Sequence, residues 1–308
     1  MSAVAVHNLT KQYKSGKEII EAVQGVSFDV TRGELFGIIG PDGAGKTSVF
    51  RMLTTLLLPD SGDATVDGAD IVKDYKVIRQ KVGYMPGRFS LYQDLTVEEN
   101  LQFFATIFKT SVAANYNLIK DIYVQIAPFK TRRAGKLSGG MKQKLALCCA
   151  LIHKPVVLFL DEPTTGVDAV SRKEFWDMLR NLKQQGITIL VSTPYMDEAS
   201  LCDRVALMQK GKIMTTGTPQ QIIQNFSQDI LAVRAQNMYG LLQVLKQWNA
   251  IEDAYSFGEY HHAVIKNGYD AKALQQYLTS KGYNDANIHL VTPTIEDCFM
   301  QLMQHKHD

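Results

Sequence analysis

A glycine-rich segment at residues 40–47 constrains this chain more than any other part of its sequence. It reads Gly-Pro-Asp-Gly-Ala-Gly-Lys-Thr and fits the spacing G-x-x-x-x-G-K-[ST]. An apolar run precedes it at 35–39, and a helical pattern follows from Ser48. Backbone N–H groups in such a loop turn inward around phosphate oxygens, and the next helix points its positive end at them. This strand–loop–helix context predicts a nucleoside triphosphate site.

The residues of this phosphate loop have distinct predicted roles. Lys46 is expected to reach the β- and γ-phosphates as a catalytic residue, and the Thr47 hydroxyl is expected to ligate Mg²⁺. A chance glycine-rich turn is the alternative, but the spacing, the lysine, the hydroxyl and the flanking elements all disfavour it. The predicted nucleotide-binding residues of the loop are Gly40, Pro41, Asp42, Gly43, Ala44, Gly45, Lys46, Thr47 and Ser48.

Composition limits what else the chain can be. Its 308 residues include 33 basic and 31 acidic ones, so the net charge of +2 gives no overall attraction to nucleic acid or anionic lipid. The four cysteines show no zinc or redox spacing, which fits a reducing cytosol. The sequence has no signal-peptide pattern and no apolar run near the roughly 20 residues that span a bilayer. Any membrane role is therefore expected to require another subunit.

Two carboxylates follow a second apolar run. Residues 156–160 predict a strand that is buried on both faces of a parallel sheet, and Asp161 and Glu162 come directly after it. Open α/β sheets bind ligands at this edge. Asp161 is predicted to hold the Mg²⁺ shell, and Glu162 to orient and deprotonate the attacking water. Alone, the pair would also suit a strand-capping turn; the phosphate loop favours the catalytic role.

A third motif lies upstream of that strand. Ser138, Gly139 and Gly140 directly precede a helical pattern at 142–153. A hydroxyl and free N–H groups at a helix start form an anion site. A flexible linker is the alternative, but strong helix formers follow at once.

Together these motifs resemble the nucleotide-binding subunit of ATP-binding cassette transporters. Segment 137–141 resembles the family signature, with Met141 in place of the usual glutamine. Segment 163–168 resembles the turn after the catalytic strand, which implies that Asp168 lies at a dimer interface. Tyr13 matches the aromatic residue that stacks on adenine.

The resemblance covers about residues 3–225 and implies an α/β P-loop NTPase fold. This fold would have a mixed, largely parallel sheet, an N-terminal antiparallel β subdomain and a helical subdomain that carries the signature. Two cassettes, identical or different, would pair head to tail around two ATP molecules, with Mg²⁺ as the second cofactor. Segments 89–92 and 95–101 match the part that faces integral-membrane permease subunits. The implied location is peripheral, at the cytoplasmic face of the cell membrane, and no nucleic acid partner is expected.

The last part of the chain differs in character. Residues 226–308 mix short strand and helical patterns without a catalytic motif, which predicts a small C-terminal α/β accessory domain after a cassette domain at 1–225. Segment 292–299 resembles the C-terminal element of ATPases that serve multidrug, antibiotic and polysaccharide exporters. The histidines of this region, interpreted as solvated surface or tail residues rather than metal ligands, are His261, His262, His289, His305 and His307.

Three positions depart from the family pattern. Gly87 stands where the family has a glutamine, Pro194 where it has a histidine, and Asp42 where it has an asparagine. The resemblance implies that the glutamine contacts Mg²⁺ and the attacking water and that the histidine contacts the γ-phosphate. Losing both predicts slow hydrolysis, and hence an ATP-gated regulatory subunit that pairs with a second, more conventional cassette. The competing hypothesis is that Glu162 and Lys46 suffice in a homodimer. A soluble cassette that acts on nucleic acid is disfavoured by the single phosphate loop and the low net charge.

Overall fold

The computed structural model describes residues 2–16, 18–266 and 271–304 and divides the chain into two compact units, Met1–Pro219 and Gln220–Asp308. His305 and His307 lie outside the described residues. The strands are β1 Ser2–Ser15, β2 Glu18–Thr31, β3 Leu35–Ile39, β4 Ser61–Val66, β5 Ala69–Asp70, β6 Val82–Met85, β7 Val157–Asp161, β8 Thr188–Thr193, β9 Arg204–Gln209, β10 Lys212–Gly217, β11 Asp229–Arg234, β12 Ile251–Phe257, β13 Tyr260–Ile265 and β14 Asn287–Val291. The α-helices are α1 Lys46–Leu53, α2 Tyr75–Lys81, α3 Val97–Ile107, α4 Tyr116–Ile126, α5 Gly139–Leu151, α6 Ala169–Gln184, α7 Pro219–Gln224, α8 Met238–Lys246, α9 Ala271–Ser280 and α10 Ile295–Gln304.

The central sheet of the first unit positions the site. Its order is β10-β9-β3-β8-β7-β6, and every neighbouring pair is parallel except β10 with β9. All five residues of β3 and all five of β7 are buried, as continuous apolar runs require in a parallel sheet covered on both faces. The carboxyl ends of β3, β7 and β8 therefore meet at one sheet edge. The predicted mixed, largely parallel sheet is confirmed.

A second sheet of this unit is antiparallel, in the order β2-β1-β4-β5. The apolar patterns at 4–6 and 22–30 predict short strands there, whereas β1 and β2 are each 14 residues long. The register between them shifts at several points, including one between Val6 and Leu9. Such bulges interrupt the two-residue alternation of side chains while the strands stay paired, so the sequence pattern underestimates the strand length.

Helices α3, α5 and α6 each begin at a residue whose side chain caps the helix. Thr96 and Glu99 form a capping box at the start of α3. Ser138 caps α5 by accepting a hydrogen bond from the Met141 N–H, and Asp168 caps α6. Within the described ranges, no helix combines the length and the apolar character needed to cross a membrane.

The second unit contains a four-stranded antiparallel sheet, in the order β12-β13-β11-β14. The chain order β11-α8-β12-β13-α9-β14 is the β-α-β-β-α-β arrangement of ferredoxin-like folds. Leu241 and Leu245 on α8 and Leu274 and Leu278 on α9 are fully buried in one cluster with strand residues. The sequence missed β12, because its alternating pattern contains the polar Glu252, Asp253 and Ser256.

The interpretation of His261 and His262 as solvated residues was wrong. Both are buried, and the His262 Nδ1 lies 2.6 Å from the Asp297 Oδ1. The Tyr255 hydroxyl donates to the same oxygen at 2.8 Å, and the Thr294 N–H donates to Oδ2 at 2.7 Å. These partners allow polar side chains to be buried, and Asp297 lies 35 residues beyond His262, too far for sequence reasoning to pair them.

We expect Asp297→Asn to lower the free energy of unfolding by about 1–3 kcal/mol, because an amide cannot accept all of these bonds. Burial raises the pKa of Asp297, but hydrogen bonds from His262, Thr294 and Tyr255 lower it by more. The pKa of Asp297 is therefore below its usual value. The stabilisation is therefore complete above the unfolded pKa of about 3.9 and is lost as pH falls through the folded value. Urea unfolding between pH 3 and pH 7 measures this difference, with the exposed Asp229→Asn as control. Equal stability of the two variants at pH 7 would contradict the prediction.

Candidate nucleotide-binding site

The phosphate loop connects β3 to α1 at the edge of the central sheet. The Gly45 φ is +105°, and a Cβ there would lie 2.2 Å from the Ala22 carbonyl oxygen. A Cβ on Gly40 would lie 2.0 Å from the Met208 carbonyl oxygen. Only glycine fits at these two positions, because the loop backbone passes close to its neighbours there. Helix α1 begins directly at Lys46.

The charge of Lys46 is buried inside this loop. The residue is 3% exposed, and its Nζ donates to the Gly40 and Pro41 carbonyl oxygens at 2.7 and 3.1 Å. The same Nζ lies 3.3 Å from the Glu162 Oε1. A buried ammonium group needs such partners, and incoming phosphate oxygens would provide the same kind of partner. The adjoining cavity of about 210 Å³ is lined by Ala22, Gly43, Ala44, Gly45, Lys46, Thr47, Ser48 and Glu162.

A pair of oxygen ligands lies beside this cavity. The Thr47 Oγ1 is 3.2 Å from the Asp161 Oδ1, which also accepts a hydrogen bond from the Ser192 hydroxyl at 2.6 Å. Hydroxyl and carboxylate oxygens suit a hard divalent cation. Within the described part of the chain, no group of three or more His, Cys, Asp or Glu side chains could hold a metal. The protein thus offers a partial ligand set of the kind that nucleotide phosphates and water complete.

Glu162 holds an unusual backbone conformation at the end of β7. Its φ is +50°, in the left-handed region, which costs a residue with a side chain roughly 1–2 kcal/mol. The Glu162 N–H donates to both the carbonyl and the hydroxyl oxygen of Ser192, each at 3.0 Å. The conformation turns the carboxylate toward Lys46. Tyr84 lies on β6, the strand next to β7. Its burial, and to a lesser extent the nearby Asp161 charge, raise the pKa of Tyr84 to about 12, so this phenol stays neutral.

Tyr13 lies beside Ser48, one of the residues that line this cavity. Its hydroxyl is 3.1 Å from the Ser48 Oγ, and the residue is 36% exposed. An exposed aromatic ring beside the phosphate loop offers a planar surface on which a nucleobase can stack.

The signature residues are placed apart from this cavity. A Cβ on Gly140 would lie 2.8 Å from the Ser171 Oγ, so the signature adjoins the start of α6. The Asp168 carboxylate accepts hydrogen bonds from the Ser171 and Val170 N–H groups, which hold its pKa below the usual value. The residues that line the phosphate-loop cavity include neither Ser138 nor Asp168. Within one chain, the structure therefore brings the phosphate loop, Asp161 and Glu162 together and leaves the signature outside.

Of the three departures from the family pattern, one lies on the phosphate loop, and the other two lie within two residues of the carboxyl ends of β6 and β8. A Cβ on Gly87 would lie 3.0 Å from the Asp161 carbonyl oxygen and 3.6 Å from the Glu162 Cβ, so this position adjoins the backbone of the carboxylate pair and has no side chain. Pro194 directly follows β8 and supplies neither an N–H nor a side-chain donor. Asp42 is exposed on the loop.

Sequence reasoning missed Ser192 and Thr193, the last two residues of β8. Ser192 contacts both Asp161 and Glu162, and the Thr193 carbonyl oxygen accepts the Gly40 N–H at 3.2 Å. The available signal was two hydroxyl side chains that end an otherwise apolar buried strand.

Comparisons with known proteins identify the family. A family model described as ABC transporter matches residues 23–165. The Nod factor export ATP-binding protein I of Rhizobium sp. (strain N33) is 32% identical over 306 residues, which is 98% of each chain. The chain belongs to the ABC transporter family. The predicted family and fold class are confirmed.

Two further matches bear on the organisation of this ABC cassette. The probable multidrug ABC transporter ATP-binding protein YbhF of Escherichia coli (strain K12) is 38% identical over 286 residues. That alignment covers 92% of this chain and 49% of YbhF, so the chain spans about half the length of this relative. A solved dimeric structure of the ATP-binding cassette MJ0796, bound to ADP and Pi, has a TM-score of 0.63 and 26% identity. It covers 70% of this chain and 98% of that one.

Proposed function

We propose that this chain couples ATP hydrolysis to export through separate permease subunits, from a peripheral position on the cytoplasmic face of the membrane. The convergence of Lys46, Thr47, Asp161 and Glu162 on one cavity carries the proposal. The export and multidrug names of the two curated relatives support the direction of transport. The sequence motifs at 292–299 favour the same branch.

The geometry suggests how these residues divide the chemistry. Lys46 would neutralise β- and γ-phosphate oxygens, and Thr47 and Asp161 would hold Mg²⁺, which offsets phosphate charge when bound. Glu162 would orient a water and accept its proton while the water oxygen bonds to the γ-phosphorus. The bond from that phosphorus to the β–γ bridging oxygen breaks, and ADP and inorganic phosphate leave. The left-handed Glu162 backbone would keep the carboxylate aimed at this position.

The separation of the signature from the phosphate loop supports a head-to-tail dimer. Ser138, Gly139 and Gly140 would contact an ATP held by the phosphate loop of the second cassette, and Asp168 would lie at the interface. The dimeric form of the solved MJ0796 cassette supports the same arrangement. ATP-dependent dimerisation of the purified chain, measured by light scattering, tests this part of the proposal; a monomer under ATP in the non-hydrolysing Glu162→Gln variant would refute a homodimer.

A larger, apolar groove of about 390 Å³ supports permease docking. It lies between the central sheet and the signature-bearing helices, and its walls include Pro86, Phe104, Ile107 and His153. The His153 Nε2–H donates to the Val82 carbonyl oxygen at 3.0 Å, whereas the buried Nδ1 has no partner. Burial lowers the pKa of His153, which leaves Nδ1 as a free acceptor. The groove would therefore suit an apolar permease segment that presents one hydrogen-bond donor.

We expect Ile107→Glu to reduce the membrane-bound fraction of the chain in cells by about tenfold, because a carboxylate in this groove would lose its hydration on docking. Ile107 is 55% exposed, so the fold should tolerate the change. Val124→Glu is a matched control, since Val124 is 53% exposed on α4 and does not line the groove. Cell fractionation followed by immunoblotting measures the effect. Equal losses of the membrane-bound fraction in both variants would refute the assignment of this groove to permease docking.

Steady-state Mg-ATP hydrolysis by the purified chain tests the central proposal. Turnover that is abolished in Glu162→Gln would support an ATPase with this site. ATP binding without turnover above that of Glu162→Gln would refute it and would favour the second candidate function.

That second candidate is an ATP-gated regulatory subunit that hydrolyses ATP weakly and pairs with a different cassette. The missing side chains at Gly87 and Pro194 favour it, because Gly87 lies beside the Asp161 and Glu162 backbone, Pro194 directly follows β8, and neither residue supplies a side-chain donor. In this case the intact signature of this chain would complete the site of its partner.

A further inference from the structure

A buried carboxylate lies behind the nucleotide site without contacting it. Glu198 belongs to the 3₁₀ turn Met196–Leu201, which follows Pro194 and Tyr195. It is 1% exposed, and both of its oxygens accept hydrogen bonds from buried hydroxyl groups. The Thr164 Oγ1 donates to Oε1 at 2.8 Å, and the Thr193 Oγ1 donates to Oε2 at 2.5 Å. A carboxylate with neutral partners is costly to bury, so its position calls for a functional explanation.

The two hydroxyl groups belong to the two segments that shape the site. Thr164 lies two residues after Glu162, in the turn that ends at Asp168. Within that turn, the Thr165 N–H donates to the Glu162 carbonyl oxygen, and the Val167 N–H donates to the Thr164 carbonyl oxygen. Fixing the Thr164 side chain therefore restrains the backbone on both sides of it, including the left-handed Glu162.

Thr193 connects the same carboxylate to the phosphate loop. Its carbonyl oxygen accepts the Gly40 N–H at 3.2 Å, and its hydroxyl also accepts the Tyr195 N–H at 3.1 Å. The preceding Ser192 holds the Glu162 N–H and the Asp161 carboxylate. One side chain thus joins the end of β8, which contacts the phosphate loop, to the turn that carries the predicted general base.

We propose that Glu198 is a positioning residue for ATP hydrolysis, which fixes the Glu162 turn relative to the phosphate loop through Thr164 and Thr193. The proposal rests on the proposed ATPase function. A displacement of about 1 Å at a reacting group lowers a rate by as much as 10²-fold.

The test compares Glu198→Gln with Glu34→Gln. Both glutamates are buried in the first unit, but Glu34 precedes β3 and pairs with Arg204, whereas the phosphate loop follows β3. We expect Glu198→Gln to lower kcat for Mg-ATP by about 10- to 100-fold with KM changed less than about threefold. Glu34→Gln should leave kcat per folded molecule unchanged. An unchanged kcat in Glu198→Gln, or an equal loss in both variants, would overturn the proposal.

Hydrogen–deuterium exchange of the full chain provides a second readout, which does not depend on turnover. Thr193→Val removes one hydroxyl from the end of β8, and we expect faster exchange across the turn at 163–168. Thr164→Val should in turn speed exchange at 195–199. Exchange that changes only next to each substitution would refute the coupling. If the wild-type chain turns over no faster than Glu162→Gln, the ATPase proposal fails, and the exchange data alone then decide the role of Glu198.

Discussion

Replacing Glu162 by glutamine is expected to lower kcat for Mg-ATP by about 10²- to 10⁴-fold, the range that general-base assistance contributes. The amide has nearly the shape of the carboxylate but cannot accept a proton from the attacking water. It also cannot balance the charge of the Lys46 Nζ, which lies 3.3 Å from the Glu162 carboxylate. ATP would supply negative charge in its place, so nucleotide binding should persist or become tighter.

A coupled assay of ADP release, with ATP affinity measured separately by a fluorescent analogue, would resolve the two effects. Glu174→Gln is the matched control, because that side chain is 47% exposed and pairs with Lys144 on another helix. We expect this control to retain wild-type kcat. If Glu162→Gln kept kcat within a few fold of wild type, another group would have to act as the base, and Glu162 would be a counterion of Lys46.

Each part of the site that the sequence predicted is a short, contiguous motif. The phosphate loop and the pair Asp161 and Glu162 each follow an apolar run that suits a buried strand, and parallel strands end at the same sheet edge. This rule places Thr47 and Asp161 at one edge, where the structure brings their side-chain oxygens to 3.2 Å although 114 residues separate them. Contiguous motifs with this flanking structure therefore carry most of the predictable information.

The parts that the sequence did not predict depend on contacts between distant segments. Nothing local distinguishes Glu198 from a surface glutamate, because its burial follows from the packing of the 3₁₀ turn against Thr164. His262 was assigned to the surface for the same reason, since its partner Asp297 lies on a later helix. Polar residues are buried when their partners arrive from elsewhere, and a single sequence does not show such pairs.

The second large effect that we expect is faster hydrolysis when positions 87 and 194 receive the side chains of the family pattern. Pro194→His combined with Gly87→Gln should raise kcat by about 10- to 100-fold, because one well-placed donor at developing charge contributes about 10²–10³. The family resemblance implies that a histidine at position 194 contacts the γ-phosphate, and this position directly follows Thr193, which contacts the phosphate loop. Removing the proline also restores a backbone N–H.

The two single substitutions should differ in the size of their effect on kcat. A Cβ at position 87 would lie 3.0 Å from the Asp161 carbonyl oxygen, so Gly87→Gln requires a backbone shift of a few tenths of an ångström beside the metal ligand. Pro194→His should therefore give most of the gain, and pre-steady-state phosphate release would show whether the hydrolysis step itself accelerates. A faster hydrolysis step would mean that the wild-type cassette is slow because it lacks these donors, which favours pairing with a second cassette that has them. An unchanged rate would mean that Glu162 and Lys46 already support hydrolysis unaided, and a homodimer would then be sufficient.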